Sequence, residues 1–341
     1  MPQMLSVREL GRATLARQLL LERSSLDVAD AVGRLCALQA QEARPPFVAL
    51  WSRLADFSAE ALDAALADRT LVRGTLMRGT VHLARAEDFL RWRPVLAPLG
   101  VEALRKVVGA RADGADLDAA VAGVREQFAE GAALSADEVR DWVAANRPGE
   151  DARVIARLAL YSLPLVRVPD GGRWSFTPKS RFTDGERWLG AAASPDAAGL
   201  VRAYLAAFGP ATVRDVRQFL GGGDWQDVLD GLSLERFGPY YDLPDAPRPG
   251  EDVDAPVRFL PDFDSLLLAH ADRSRVIADA HRAQLTTKNL RVRAVVLVDG
   301  MVAGFWKLER KRVVVEPLRK LRAGEQRAVD AEAERLSAFA G

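Results

Sequence analysis

The fold is read from Leu165-Val166-Arg167-Val168-Pro169-Asp170-Gly171-Gly172-Arg173-Trp174-Ser175-Phe176. Two strand-like arms flank Asp-Gly-Gly, a composition suited to a tight turn with positive φ, and so predict a β-hairpin. Three helix-like segments precede it. Asp116 to Phe128 is the first, and Ser135 with Glu138 three residues on forms a capping box for a second, running to Ala145. Asp151 to Leu163 is the third. Three helices followed by a β-ribbon outline a winged helix-turn-helix.

The outline comes twice more. Toward the N-terminus, Ser6 to Leu21 is amphipathic, and Ser25 or Asp27 caps a helix through Val28, Val32, Leu35 and Leu38. Phe47 to Leu54 and Ala59 to Ala67, the latter capped by Ser58, follow before the glycine-punctuated, β-rich run from Leu71 to Leu83. Farther on, Asp196 to Phe208, Val213 to Leu220 behind Thr212, and Asp224 to Leu232 precede an irregular stretch, Phe237 to Asp242. A spacing of about 80 to 100 residues marks repeated small domains and excludes a solenoid of short repeats. Pro244 to Pro256 is Pro- and acid-rich and reads as a linker or long loop. Strand-like runs beyond it, with Asp299-Gly300 as a hairpin turn, end in a helix from Ala323 to Phe339. The expected fold is α+β, mainly α, with winged-helix units at 1–112, 113–193 and 194–245 and a C-terminal small β-sheet or barrel at 256–341.

With 49% hydrophobic and 28% charged residues, the chain of 341 has the composition of an ordinary folded protein. No apolar run reaches bilayer length, and the start lacks a basic segment followed by a long apolar core. The single cysteine, Cys36, excludes an internal disulfide framework and suits a reducing compartment, so the expected location is the cytoplasm. Net charge is zero, yet Arg273 to Arg322 holds thirteen basic and four acidic side chains, an excess of nine. The bases are mostly arginine, whose planar fork suits phosphate, although an Arg bias also follows from genomic base composition. Winged helices bind DNA through a groove-inserted helix and a wing, and many mediate protein contacts instead.

Gln39 and Gln41 close the second helix-like segment, just before Arg44-Pro45-Pro46. In a helix, residues two apart point to opposite sides; in extended chain they share a face. The prolines push the preceding residues out of the helical region, so the helix is expected to end between Leu38 and Gln41, letting both amides converge. They would hold a water or a nucleotide, or else stand solvated at a helix end. His82, His270, His281 and Cys36 show no metal-ligand spacing, so no metal is expected. His82, in a strand-like run, reads as packed or phosphate-contacting. Asp262 and Asp264 form either a carboxylate pair for acid–base work or turn caps and partners of Arg273 and Arg275. Gly221-Gly222-Gly223 lacks the Lys-Ser/Thr of a phosphate loop.

Four segments carry a resemblance: Arg12 to Gln18, Leu38-Gln39-Ala40-Gln41, Leu76-Met77-Arg78-Gly79-Thr80-Val81-His82-Leu83, and Phe259 to Arg273. Together, in this order and over nearly the whole chain, they resemble the AlkZ-like winged-helix DNA glycosylases of the azinomycin-resistance type. The resemblance implies three tandem winged-helix units in a C-shaped surface that embraces DNA. It places the chain in the Gln-apolar-Gln branch, with Gln39 and Gln41 as catalytic residues. It implies excision of N7-alkylated purines, including bulky adducts and, in some members, interstrand crosslinks. The expected partner is double-stranded DNA carrying alkylated purines, engaged by a monomer with no cofactor, metal or membrane. Expected DNA contacts are Arg44, Arg78, His82, Lys288, Arg291, Arg310, Lys311 and Arg312. A non-catalytic winged-helix DNA-binding protein or transcriptional regulator is the alternative, and a protein-interaction scaffold a weaker one.

Overall fold

A computed structural model describes residues 4–177 and 179–341. The chain opens on α1 (Val7–Arg17), whose N-terminus is closed by a reciprocal Ser6–Glu9 capping box. Asp27 caps α2 (Val28–Arg34), and the two-residue strand β1 (Leu38–Gln39) follows. Pro45 and Pro46 occupy the first turn of α3 (Pro45–Arg53), where their missing N–H groups are no loss. Ser58 caps α4 (Ala59–Ala67). The hairpin of β2 (Leu71–Thr75) and β3 (Val81–Arg85) then runs into α5 (Ala86–Val108). This helix has no side-chain cap at Arg85 and holds Pro94 and Pro98 inside, which is why pattern reading leaves it unassigned.

Next come α6 (Leu117–Glu126), α7 (Ala136–Asn146) behind the expected Ser135–Glu138 capping box, and α8 (Ala152–Ser162). The hairpin expected over Leu165 to Phe176 is wider than its turn signal implied. β4 (Leu165–Arg167) pairs with β5 (Phe182–Asp184), so the returning arm starts ten residues beyond Gly172. The aromatics of the intervening loop pack elsewhere. Trp174 lies 4.9 Å from Phe47 between ring centres, and Phe176 lies under the Arg73 guanidinium. The first two expected units also share one antiparallel sheet, ordered β1-β3-β2-β4-β5, instead of each closing its own.

After α9 (Gly185–Leu189) come α10 (Ala197–Phe208), α11 (Val213–Leu220) and α12 (Gln226–Asp230). The stretch expected to be irregular is a hairpin, β6 (Glu235–Phe237) and β7 (Tyr240–Asp242), turning at Gly238 with φ 59°. Arg236 stacking on Tyr241 at 3.6 Å holds its arms together. The C-terminal part contains β8 (Arg258–Leu260), α13 (Asp279–Arg282), β9 (Val295–Val298), β10 (Met301–Glu309), β11 (Arg312–Pro317) and α14 (Ala323–Ala340). Its strands form a four-stranded antiparallel sheet, β11-β10-β9-β8, which settles the choice between sheet and barrel. Asp299 and Gly300, with φ 51° and 77°, make the expected turn.

Residues of the Arg12 to Gln18 segment brace these parts against one another. Arg17 donates to both carboxylate oxygens of Asp242 on β7 at 2.6 and 2.8 Å, and Gln18 Nε2 donates to Ala207 O at 2.9 Å. Arg12 pairs with Asp299 at the β9–β10 turn. Among the described residues, no helix is long and apolar enough to cross a membrane, and no group of three His, Cys, Asp or Glu residues is placed to hold a metal ion.

Candidate active site

The chain leaves α2 abruptly. Leu35 ends the helix, then Cys36 and Ala37 adopt φ of 54° and 70°, left-handed values that are uncommon for non-glycine residues. Both side chains are fully buried, so packing holds this strain in place. Burial also pushes the Cys36 thiol pKa far up, leaving an inert thiol. The kink delivers Leu38 and Gln39 onto the edge of the sheet, where Gln39 stands directly opposite His82. Ala40 N–H continues the ladder to Val81 O at 2.8 Å.

Gln39 is buried and Gln41 exposed, and no hydrogen bond joins the two amides. The two side chains do not share one environment: the strand stops after Gln39, and each amide takes its own anchor. Arg78 Nη2 donates to Gln39 Oε1 at 2.9 Å, while Val81 N–H donates to Gln41 Oε1 at 3.3 Å. A guanidinium only donates, so Arg78 fixes the Gln39 amide with its oxygen inward and its NH2 free to donate. Among the described residues, neither Nε2 group makes a hydrogen bond.

Arg78 sits in the turn between β2 and β3 with φ 57°, and its Nη1 donates to Phe219 O of α11 at 2.8 Å. Burial, with Arg273 adding like charge, holds its pKa down to about 10, so it stays protonated at neutral pH. Its guanidinium is spent on Gln39 and Phe219, a clamp where the sequence predicted a DNA contact. A second arginine, Arg73, holds the backbone of the pair: Nε donates to Ala40 O at 2.9 Å and Nη2 to Gln41 O at 3.3 Å. Sequence reading passed over Arg73, although a charged residue in mid-strand on an apolar face is the signal that finds it. Gln41 borders a cleft of about 170 Å³ with Thr75, Val81, Arg157, Tyr161 and Phe182 among its walls.

His82 is packed, the first of its two expected readings. It is fully buried, and its Nδ1 lies 2.9 Å from Thr80 O, so Nδ1–H donates to that carbonyl. Nε2 is then a buried acceptor, without a partner among the described residues. Burial first, and the Arg78 charge second, push the ring pKa down to about 3. A phosphate contact from a buried neutral imidazole is excluded in this arrangement. A histidine in the unfolded chain titrates near 6.5. Its stabilising contribution is thus complete above that value and is lost as pH falls toward 3, by about 1.4 kcal/mol per pH unit. In urea titrations at stepped pH, His82→Gln is expected to flatten the acid limb of stability by that one-proton slope. An unaltered limb would show that His82 does not titrate with folding.

The remaining expected residues fall in two places. Arg44 and Arg291 gather at Asp262: Arg291 Nε and Nη2 bond its carboxylate at 3.1 and 3.0 Å, and Arg44 Nη2 lies 3.9 Å away. Arg291 also pairs with Glu42, next to Gln41, so much of its charge is neutralised. Lys288 stands exposed in the loop before Arg291. Arg310, Lys311 and Arg312 are exposed at the β10–β11 turn. Asp262 and Asp264 do not form an acid–base pair. Asp264 is buried in a two-pronged bond with Arg53 at 2.9 Å for each oxygen and caps the turn at Leu266. Their arginine partners are thus Arg291 and Arg53, in place of the expected Arg273 and Arg275.

The sequence matches the family described as DNA glycosylase AlkZ-like over residues 32–339. It is 27% identical, over 369 aligned positions, to the interstrand DNA cross-link repair glycosylase of Streptomyces sahachiroi, covering 98% of this chain and 97% of that protein. Its fold matches the solved Streptomyces sahachiroi DNA glycosylase AlkZ with a TM-score of 0.82 at 24% identity, covering 99% of this chain and 98% of that one. With the family match spanning nearly all of the chain, the protein belongs to the AlkZ-like family of DNA glycosylases.

Proposed function

We propose that the chain is a monofunctional glycosylase that excises N7-alkylated purines by water attack at C1′, with Gln39 and Gln41 gripping the water. The observation that carries this reading is the clamped Gln39 amide, whose oxygen is held by Arg78 and whose NH2 is left to donate. Gln41 keeps a second lone pair on Oε1 beyond its bond from Val81. A water accepting from Gln39 and donating to Gln41 is oriented with its other lone pair free to attack.

Neither amide is a base at neutral pH, which restricts the substrate. An N7-alkylated purine is already cationic. As the water oxygen bonds to C1′, the C1′–N9 pair returns to the ring, which departs neutral, and the water proton passes to solvent. Positioning and electrostatics are enough for such a leaving group. An uncharged base needs protonation, and among the described residues no unpaired acid stands beside the amides: His82 is neutral and buried, and Glu42, Asp262 and Asp264 are ion-paired.

The helix-then-hairpin order that ends in β2–β3, β4–β5 and β6–β7 supports a reading as three tandem winged-helix units, with the C-terminal sheet as a fourth element. Lys288, Arg310, Lys311 and Arg312 are exposed and suit backbone contacts on duplex DNA. The open position of Gln41 suits bulky adducts, and crosslinks are included because the Streptomyces relative is named for their repair. We read the protein as a cytoplasmic monomer. Incubation with a duplex carrying N7-methylguanine is expected to release the base and leave an alkali-labile site. Tight binding to alkylated duplexes without release from any of them would overturn the proposal.

A further inference from the structure

Most buried arginines here are held by carboxylates or carbonyls, as Arg17, Arg53 and Arg73 are. Arg214 and Arg217 differ. They stand on the exposed side of α11, and neither has an ion pair or side-chain hydrogen bond among the described residues. Residues three and four apart share a helix face, so Gln218 stands beside them. This face and the Arg78 turn line an open groove of about 530 Å³, with Gly221 and Gly222 also in its wall and, among the described residues, no carboxylate lining it. The one acid of α11, Asp215, is buried and turned away, accepting from Thr212 and from Ala271 N–H.

The wall is built to stay together. Gly221, at φ 98°, lies against Arg78 so closely that a Cβ there would come within 2.7 Å of Arg78 Cα. Phe219 O takes a hydrogen bond from Arg78, and Arg273 is near enough for its charge to lower the Arg78 pKa. Arg273 Nε is itself buried without a partner among the described residues. Like charges gathered with no acid between them favour an anion, and planar guanidinium forks suit phosphate oxygens in particular.

We propose that this groove seats consecutive backbone phosphates of a DNA strand, with Arg214 and Arg217 making the contacts and Gln218 adding an amide donor. Arg78 then joins the seat to the Gln39 amide. That the seated strand is the one carrying the lesion rests on the glycosylase reading above; that the groove holds phosphate does not.

The test is binding of an unmodified duplex to the full chain, followed by fluorescence anisotropy across a salt series. Arg214→Ala/Arg217→Ala is expected to weaken binding about tenfold and to reduce the slope of log K against log salt by about 2. Both side chains are exposed, so the fold tolerates the change. Arg140→Ala removes one positive charge that is already paired with Asp137 and Asp141, and is expected to keep the wild-type slope. A double variant with wild-type slope and affinity would overturn the proposal. Failure to release base from alkylated DNA would instead strike the glycosylase reading and leave this binding result standing.

Discussion

Gln39→Ala is expected to slow base release by about 10²- to 10³-fold in single-turnover assays, with duplex affinity changed only a few-fold. The magnitude is that of removing one preorganised polar group from the developing transition state. Truncation also frees Arg78 Nη2 from its 2.9 Å bond, so alanine alone mixes lost chemistry with a loosened turn. Gln39→Glu separates the two. A carboxylate keeps an acceptor on Arg78 and the size of the side chain, but it exchanges the NH2 donor for an oxygen. If Gln39 acts by donating to the water, the glutamate variant is slowed about as much as alanine while its stability is retained. A glutamate variant at the wild-type rate would show that the amide works as an acceptor, reversing the orientation that Arg78 imposes. Gln41→Ala is expected to slow release less, because its oxygen anchor at 3.3 Å is long and the side chain is exposed.

What the sequence made legible was local. The caps at Asp27, Ser58, Ser135 and Thr212 all form, because each needs only a side-chain oxygen and a backbone N–H three residues away. What stayed hidden was set at long range. Asp170-Gly171-Gly172 reads as a two-armed turn, yet Trp174 and Phe176 gain more by burial against Phe47 and Arg73 than by extending a strand. The Gln39–Gln41 spacing was visible, but the helix ends at Arg34, ahead of the expected Leu38 to Gln41, and Arg44 before the prolines keeps helical angles of φ −69° and ψ −41°. The positive φ at Cys36, Ala37 and Arg78 was not visible, since nothing in those residue types asks for it. That backbone is what turns Arg78 from a surface contact into the clamp on Gln39. The same holds for the charge count: Arg275 and Arg291 add to the basic excess of the C-terminal third, but Arg275 is buried on Thr14 and Pro210 and Arg291 is paired with Asp262 and Glu42. Lys288, Arg310, Lys311 and Arg312 of that segment stay exposed, and Arg214 and Arg217 add a further exposed pair outside it.

Asp264→Asn is expected to destabilise the fold by about 3–5 kcal/mol in urea titration while the folded fraction keeps its rate of base release. Arg53 is fully buried, and its Nη1 and Nη2 each meet one oxygen of Asp264. Its other partners are Ala49 O, Gln18 O and Gln18 Oε1, all neutral. Asparagine fills the same space but turns an NH2 toward a guanidinium that can only donate, leaving a buried cation without its counter-charge. The loss would spread widely, because Gln18 also bonds Ala207 O and so ties this pair to α10. A loss under 1 kcal/mol would show that solvent reaches Arg53, and a loss of catalysis at intact stability would return Asp264 to the chemistry. Replacing both partners by apolar residues, as in Arg53→Met/Asp264→Leu, is expected to recover much of the deficit, since the dominant penalty is an unpaired buried charge and not the absence of the pair. The Asp262-Phe263-Asp264 segment would then be marked as architecture, leaving the amides at Gln39 and Gln41 to carry the reaction.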